Sequence, residues 1–211
     1  MIYINKHKEY HNPVPNNYEE LYGGKLFKND NEDNINYLNP YINEATGLYY
    51  IWKNKTDEYV GLCHYKMFFK YNDNILSMSD AKKILNNYDI IIRHDMPFHI
   101  TLYEQLRTMV ENTPYLDKWL NEYYKQVPDF KDFLQRKSFN NSEMFVCKKE
   151  VIDKYCEWMF PIVIPITEKF IESDKDKVFN SRLIGHILER LFAYWVWKND
   201  LKTYRMDVLD V

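Results

Sequence analysis

The chain has 211 residues and a mass of 25.9 kDa, enough to bury a substantial core, and reads as a single domain over 1–211. Its 28 Lys and Arg against 31 Asp and Glu leave a net charge of −3, which excludes the basic surplus of a general nucleic-acid binder. Cys63, Cys147 and Cys156 lie in apolar stretches with no CxxC or metal spacing, no signal peptide is legible over Met1–Asn5, and no apolar run reaches the ~18 residues of a membrane span, so a cytoplasmic protein with reduced thiols is expected.

Ile2-Tyr3-Ile4-Asn5 reads as a first strand ending at Lys6-His7-Lys8. From Glu9 to Leu38 the chain is polar and turn-rich, a loop long enough to be functional, with Asp33-Asn34 standing just before the next helix. The stretch Asn39–Phe69 organises the rest. Asn39 is a good N-cap and Pro40 suits the first helical position, so one helix is predicted through Asn54, with Tyr41, Ala45, Leu48 and Trp52 on its apolar stripe. After a polar turn, Tyr59-Val60-Gly61-Leu62-Cys63 has the continuous apolar character of a central strand and runs out into His64-Tyr65-Lys66. Ligands of open α/β sheets bind beyond the carboxyl ends of strands, which makes those three residues the first candidates for a site.

Further on, Ser79 is the predicted cap of a short helix to Asn87, and Tyr88–Ile92 is a second buried strand ending in Arg93-His94-Asp95. In a parallel sheet the two strand-end clusters would share an edge. Thr101 and Glu104 make a capping-box pattern for a helix to about Asn112; another helix is expected from Thr113-Pro114 to Pro128. Ser142–Lys148 reads as a strand, and Glu150–Glu172 as a helix bent at Pro161 and Pro165. A last helix spans Arg182–Lys198 and the tail from Thr203 is a candidate edge strand. Together these elements predict an α/β fold with a mostly parallel central sheet flanked by helices.

The chemical motifs narrow the function. There is no P-loop, GxGxxG, GxSxG or HExxH, and five glycines cannot supply a Gly-rich phosphate cradle. No Asp-X-Asp follows an apolar strand, since Asp30–Asp33 and Asp174–Asp176 fall in segments that read as polar loops. A divalent metal is therefore not expected. A departing diphosphate would instead be neutralised by Lys66 or protonated His64. Asp95 and Glu143 are alternative candidates for a catalytic base.

The run DNINYLNPYINEATGLYYIWKN followed by EYVGLCHYKMFF, with SEMFVCKKEVIDKYCEWMFPI and SRLIGHILERL further along, resembles a family of bacterial capsular and exopolysaccharide biosynthesis proteins. That family is catalogued as a domain of unknown function and includes galactofuranosyltransferase-type enzymes. The resemblance spans nearly the whole chain. It implies a cytoplasmic hexosyltransferase of the GT-A sort, moving a sugar from a nucleotide diphosphate to a hydroxyl of a surface polysaccharide or a lipid-linked glycan. UDP-sugars, UDP-galactofuranose among them, are the favoured donors, and peripheral membrane association is left open. Carried over onto matching positions, His7, Lys8, Asp33, Asn34, Glu44, Thr46 and Tyr65 would hold the donor, and Arg182, Glu189 and Arg190 would contact substrate; Arg93 and His94, read from their strand end and not from the resemblance, are further substrate-binding candidates. The sequence departs from the family pattern at Lys66-Met67, where Arg-Arg is usual, at Glu143, where Asn is usual, and over Leu106–Val110, which lacks a His. Those departures keep a second reading in play, a non-catalytic sugar- or nucleotide-binding module of a polysaccharide assembly.

Overall fold

The computed structural model describes residues 1–7, 14–110 and 115–210, with side chains throughout these except over 174–181. In chain order the elements are β1 (Ile2–Lys6), β2 (Tyr18–Tyr22), α1 (Asn39–Ile42), α2 (Ala45–Asn54), β3 (Tyr59–His64), β4 (Met67–Tyr71), β5 (Asn74–Ile75), α3 (Met78–Leu85), β6 (Ile90–Arg93) and β7 (Met96–Pro97). They continue with α4 (Leu102–Met109), α5 (Leu116–Gln126), α6 (Phe130–Phe133), β8 (Ser138–Phe139), β9 (Phe145–Lys148), α7 (Lys149–Ser181), α8 (Leu183–Lys198), β10 (Thr203–Met206) and β11 (Val208–Asp210).

Among the described residues six strands form the central sheet, in the order β10-β6-β9-β3-β1-β2. β1 pairs in parallel with both β2 and β3, and β6 with β10, while β9 runs antiparallel between β3 and β6. The mostly parallel α/β sheet is therefore as the apolar runs predict. The strands are apolar on both faces because both faces are covered. Tyr3, Leu62, Ile90, Ile92, Phe145 and Cys147 enter a core packed by α1, α2 and α4–α8. Ile2, Ile4, Cys63, Ile91 and Val146 enter a second core with α3 and β4. Gly61 is required by the closeness of β3 to its neighbours. A Cβ there would lie 2.9 Å from the Phe145 carbonyl oxygen and 3.2 Å from Ile2 Cγ1.

Several elements depart from expectation. The predicted 9–38 loop contains the edge strand β2, whose YEELY sequence buries only Tyr18 and Leu21, with Glu19 and Glu20 half-buried between them, instead of reading as an apolar run. The basic-aromatic stretch after β3 continues as β4, which pairs with β11. Ser77, not Ser79, caps α3, accepting the Asp80 amide. The Thr101–Glu104 capping box forms with both of its hydrogen bonds. α7 runs for 33 residues through Pro161 and Pro165, and residues 174–176 belong to it instead of to a loop. Its buried face, from Ile152 to Phe170, lies in the same core as α5 and α8, and tertiary packing of that kind outweighs the lost backbone donors of two prolines. Among the described residues no helix is long and apolar enough to cross a membrane.

Candidate active-site cleft

The most consequential departure is in the central helix. It does not run unbroken from Pro40 to Asn54 but stops after Ile42 and restarts at Ala45. Asn43 sits at φ 47° and ψ −117°, a conformation that an L-residue adopts only when its surroundings hold it. Asn39 is part of what holds it. Its carboxamide does not cap the helix but donates to the Asn43 carbonyl at 3.2 Å and to Thr46 Oγ1 at 2.8 Å. Thr46 Oγ1 in turn donates to the Asn43 carbonyl at 2.9 Å. Gly185 on α8 completes the seat, since a Cβ there would fall 2.5 Å from Asn43 Nδ2. The break turns Asn43 and Glu44 out of the helix and into a cleft of about 170 Å³.

The cleft lies at the carboxyl end of β3. Because β9 is antiparallel, its entry residues Asn141–Met144 arrive at that same edge, opposite the start of α8. The polar wall is Glu44, His64, Glu143, Arg182, His186 and Glu189, over a floor that includes Leu62, Cys63 and Met144. His64 Nε2 lies 3.4 Å from Glu44 Oε1. The Lys66 amide donates to His64 Nδ1 at 3.3 Å, which leaves the ring proton on Nε2, facing the carboxylate. The His7 ring meets Tyr65 edge-on at 5.0 Å and His64 at 6.3 Å. Across the cleft, His186 Nδ1 is 3.9 Å from Glu189 Oε2.

Glu143 is 8% exposed, and its Oε1 has no hydrogen-bond partner among the described residues. Burial pushes its carboxyl well above the usual range, and the charges of Glu44 and Glu189 push it further. Burial also raises Glu44, with Glu189 adding to it; a backbone N–H, His7 and Arg182 oppose the rise. The cleft thus holds a basic, unpartnered carboxyl beside a histidine pair and a guanidinium. That set can accept a proton at one point and balance negative charge at another.

Other candidate residues lie elsewhere. Asn34 and Thr46 line a separate cavity of about 260 Å³ between β2 and α2, together with Tyr22, Phe27, Gly47 and Tyr50. Asp33 Oδ1 accepts from Tyr49 at 3.0 Å, and its carbonyl accepts from Asn54 at 2.8 Å. Lys66 is exposed, with its ammonium 5.4 Å from the Tyr65 ring centre. Lys8 lies outside the described residues. The end of β6 shares the sheet edge with β3, but β9 intervenes and Arg93-His94-Asp95 do not line the cleft. Asp95 pairs with Arg205, His94 Nε2 is 3.8 Å from Asp207, and Arg93 contacts Met96 Sδ at 3.7 Å. Arg190 is fully buried beneath the cleft wall. It donates to the His186 carbonyl at 2.6 Å and to Gln105, lies 4.8 Å from the Phe139 ring, and is lowered by burial to about 10. Sequence reasoning missed Asn43, Asn141, Ser142 and His186. For His186 a signal existed, because it stands three residues before Glu189 and shares its helix face.

The fold is thus a mostly parallel α/β sheet with acidic and cationic side chains gathered beyond its strand ends. It is similar to the apo structure of WbbM, a bifunctional glycosyltransferase, with a TM-score of 0.78 and 22% identity over all of this chain and 45% of that one. The chain thus spans less than half the length of that neighbour. Residues 1–201 match the family described as Domain of unknown function (DUF4422), and the chain belongs to that family. Among curated proteins none matches it.

Proposed function

We propose that the chain is a glycosyltransferase that moves a sugar from a nucleotide diphosphate to a hydroxyl of a glycan acceptor. The observation that carries this reading is Glu143, a buried unpartnered carboxyl aimed into a cleft that also presents His64 and Arg182. In an inverting transfer the acceptor oxygen bonds to the anomeric carbon, the bond from that carbon to the diphosphate oxygen breaks, and the acceptor proton passes to Glu143. Of the two carboxylates that the sequence puts forward, Glu143 rather than Asp95 serves as base, because Asp95 is committed to Arg205 outside the cleft. His64, His7 and Arg182 offset the charge of the departing nucleotide, and the exposed Lys66, two residues on from His64, adds a further cation. The neighbouring cavity, with Tyr22, Phe27 and Tyr50 faces and the Asn34 amide, suits a base and ribose.

The reaction proceeds without a divalent metal and with UDP-sugars, UDP-galactofuranose included, as donors. The product belongs to a cytoplasmically assembled capsular or exopolysaccharide, whose lipid-linked acceptor would bring the enzyme to the membrane surface. Lys66-Met67, in place of two arginines, supports a second reading, a module that binds a nucleotide sugar without turning it over.

A thermal-shift screen tests the donor binding that both readings require, and whether that binding needs a metal. Uridine, guanosine and cytidine diphosphates and their sugars are tested with and without chelator. A rise in melting temperature with a uridine diphosphate that survives chelator supports the reading. A rise that chelator abolishes moves the chemistry to a metal site, and no rise with any nucleotide on folded protein overturns the reading.

A further inference from the structure

A third cavity of about 150 Å³ lies on the β10 side of the sheet, and the catalytic reading leaves it unused. Two of its walls are continuations of the cleft walls. On α8, His186 and Glu189 face the cleft, and Ala193, Val196 and Trp197 follow at helical spacing to face the third cavity. On the segment before β9, Ser138–Asn140 line the third cavity and Asn141–Glu143 line the cleft. From Glu189 to Trp197 is eight residues of helix, about 12 Å along its axis. The two cavities therefore read as successive stations on one path.

The third cavity also has the chemistry of a sugar site. Trp197 is 49% exposed and is braced by the Phe133 ring at 5.7 Å and the Arg136 guanidinium at 5.8 Å. Around it stand planar charged groups, the Asp95–Arg205 pair and Arg136, with the Asn140 amide completing the set. An aromatic face beside fixed carboxylate, guanidinium and amide groups matches a pyranose or furanose, which has apolar C–H faces and a hydroxyl rim.

We propose that this cavity binds a sugar unit of the saccharide acceptor, one or more units from the hydroxyl that reacts at Glu143. The inference rests on the glycosyl-transfer reading for its meaning but not for its test. Asp95 and Trp197 are thereby acceptor-binding residues, with the indole as the stacking platform.

The experiment uses ¹⁵N-labelled protein. The indole N–H signals of its five tryptophans are resolved, and that of Trp197 is identified from its loss in Trp197→Phe. Methyl glycosides of glucose, galactose and mannose are titrated in without nucleotide and then with a saturating nucleoside diphosphate. The expected result is a saturable shift of the Trp197 indole and of the Thr203 and Asp200 amides with at least one glycoside, in both conditions. Trp197→Ala, checked for an unchanged melting temperature, should weaken that binding at least tenfold; Asp95→Asn should weaken it with the indole intact. If no glycoside moves the Trp197 signal, or the shifts are confined to the cleft around Glu143, the inference fails. Nucleotide binding measured alongside shows whether the transferase reading fails with it or stands alone.

Discussion

Replacing Asn39 by Ala tests whether the break at Asn43 is built to deliver Glu44. The substitution removes two hydrogen bonds, to the Asn43 carbonyl and to Thr46 Oγ1. At about 0.5–1.5 kcal/mol each, the loss comes to about 1–3 kcal/mol. For a protein of this size, each kcal/mol lowers the melting temperature by about 2–4 °C, so a fall of at most roughly 12 °C is expected, smaller to the extent that relaxation at Asn43 releases its strain. The functional effect should be larger in proportion. The Asn43 conformation is strained by about 1–3 kcal/mol, and without Asn39 the chain is free to relax towards a continuous helix, which turns Glu44 away from His64. A displacement of that kind costs about a hundredfold in turnover while leaving donor affinity less affected. Asn39→Asp keeps the shape but cannot donate and sets a carboxylate against the Asn43 carbonyl, so it should be at least as damaging as alanine. Differential scanning fluorimetry and steady-state kinetics with the donor identified by the nucleotide screen give both readouts. An alanine variant that melts with the parent and turns over at the parent rate would show that Asn39 is not a positioning residue.

Other outcomes follow from the same geometry. Glu143→Gln should lower turnover by about 10²–10⁴-fold, read from initial rates at saturating donor. Its stability should move the other way. Glu143 titrates higher in the folded state, so its destabilising effect is absent below the unfolded value of about 4.3 and grows as pH rises towards the folded value. The Gln variant should therefore melt above the parent near neutral pH and with it at about pH 4, and the reverse order would contradict the burial argument. Lys66→Ala should reduce turnover far more than stability because the side chain is exposed, and an unchanged rate would remove Lys66 from the mechanism. Gly61→Ala forces a methyl group against the Phe145 carbonyl and should cost about 1–3 kcal/mol, a drop of roughly 2–12 °C in a melt; unchanged melting would mean that the strands can part.

The sheet was legible where strands are apolar runs. Ile2–Asn5, Tyr59–Cys63 and Tyr88–Ile92 are strands in the structure to within two residues at each end, since strands covered on both faces show no polar face. β2 was not legible, because an edge strand half open to solvent carries charged residues, here the adjacent Glu19 and Glu20, and resembles loop. Nor was the antiparallel sense of β9, on which the arrival of Glu143 beside His64 depends, because direction within a sheet leaves no mark in a single strand's sequence. The cleft residues His64, Glu143, Arg182 and Glu189 were legible as chemistry, through strand-end position and family likeness. Their neighbours were not. The break at Asn43 carries no Gly or Pro and is held by Asn39, which by position looks like a cap. Arg205 is 110 residues from Asp95, and Arg190 is adjacent to Glu189 but faces inward to Gln105 and Phe139. Those partnerships are set by tertiary packing, which spacing alone does not encode.

The central claim is that the cleft performs sugar transfer, and the direct measurement is of product. The protein is incubated with the nucleotide sugar that binds best and a set of saccharide acceptors, in chelator, and products are read by mass spectrometry alongside the nucleoside diphosphate released. The account predicts an acceptor heavier by one sugar residue, nucleoside diphosphate in equal amount, and loss of both in Glu143→Gln. Tight donor binding with neither product in the presence or absence of divalent metal would contradict it and leave a binding module.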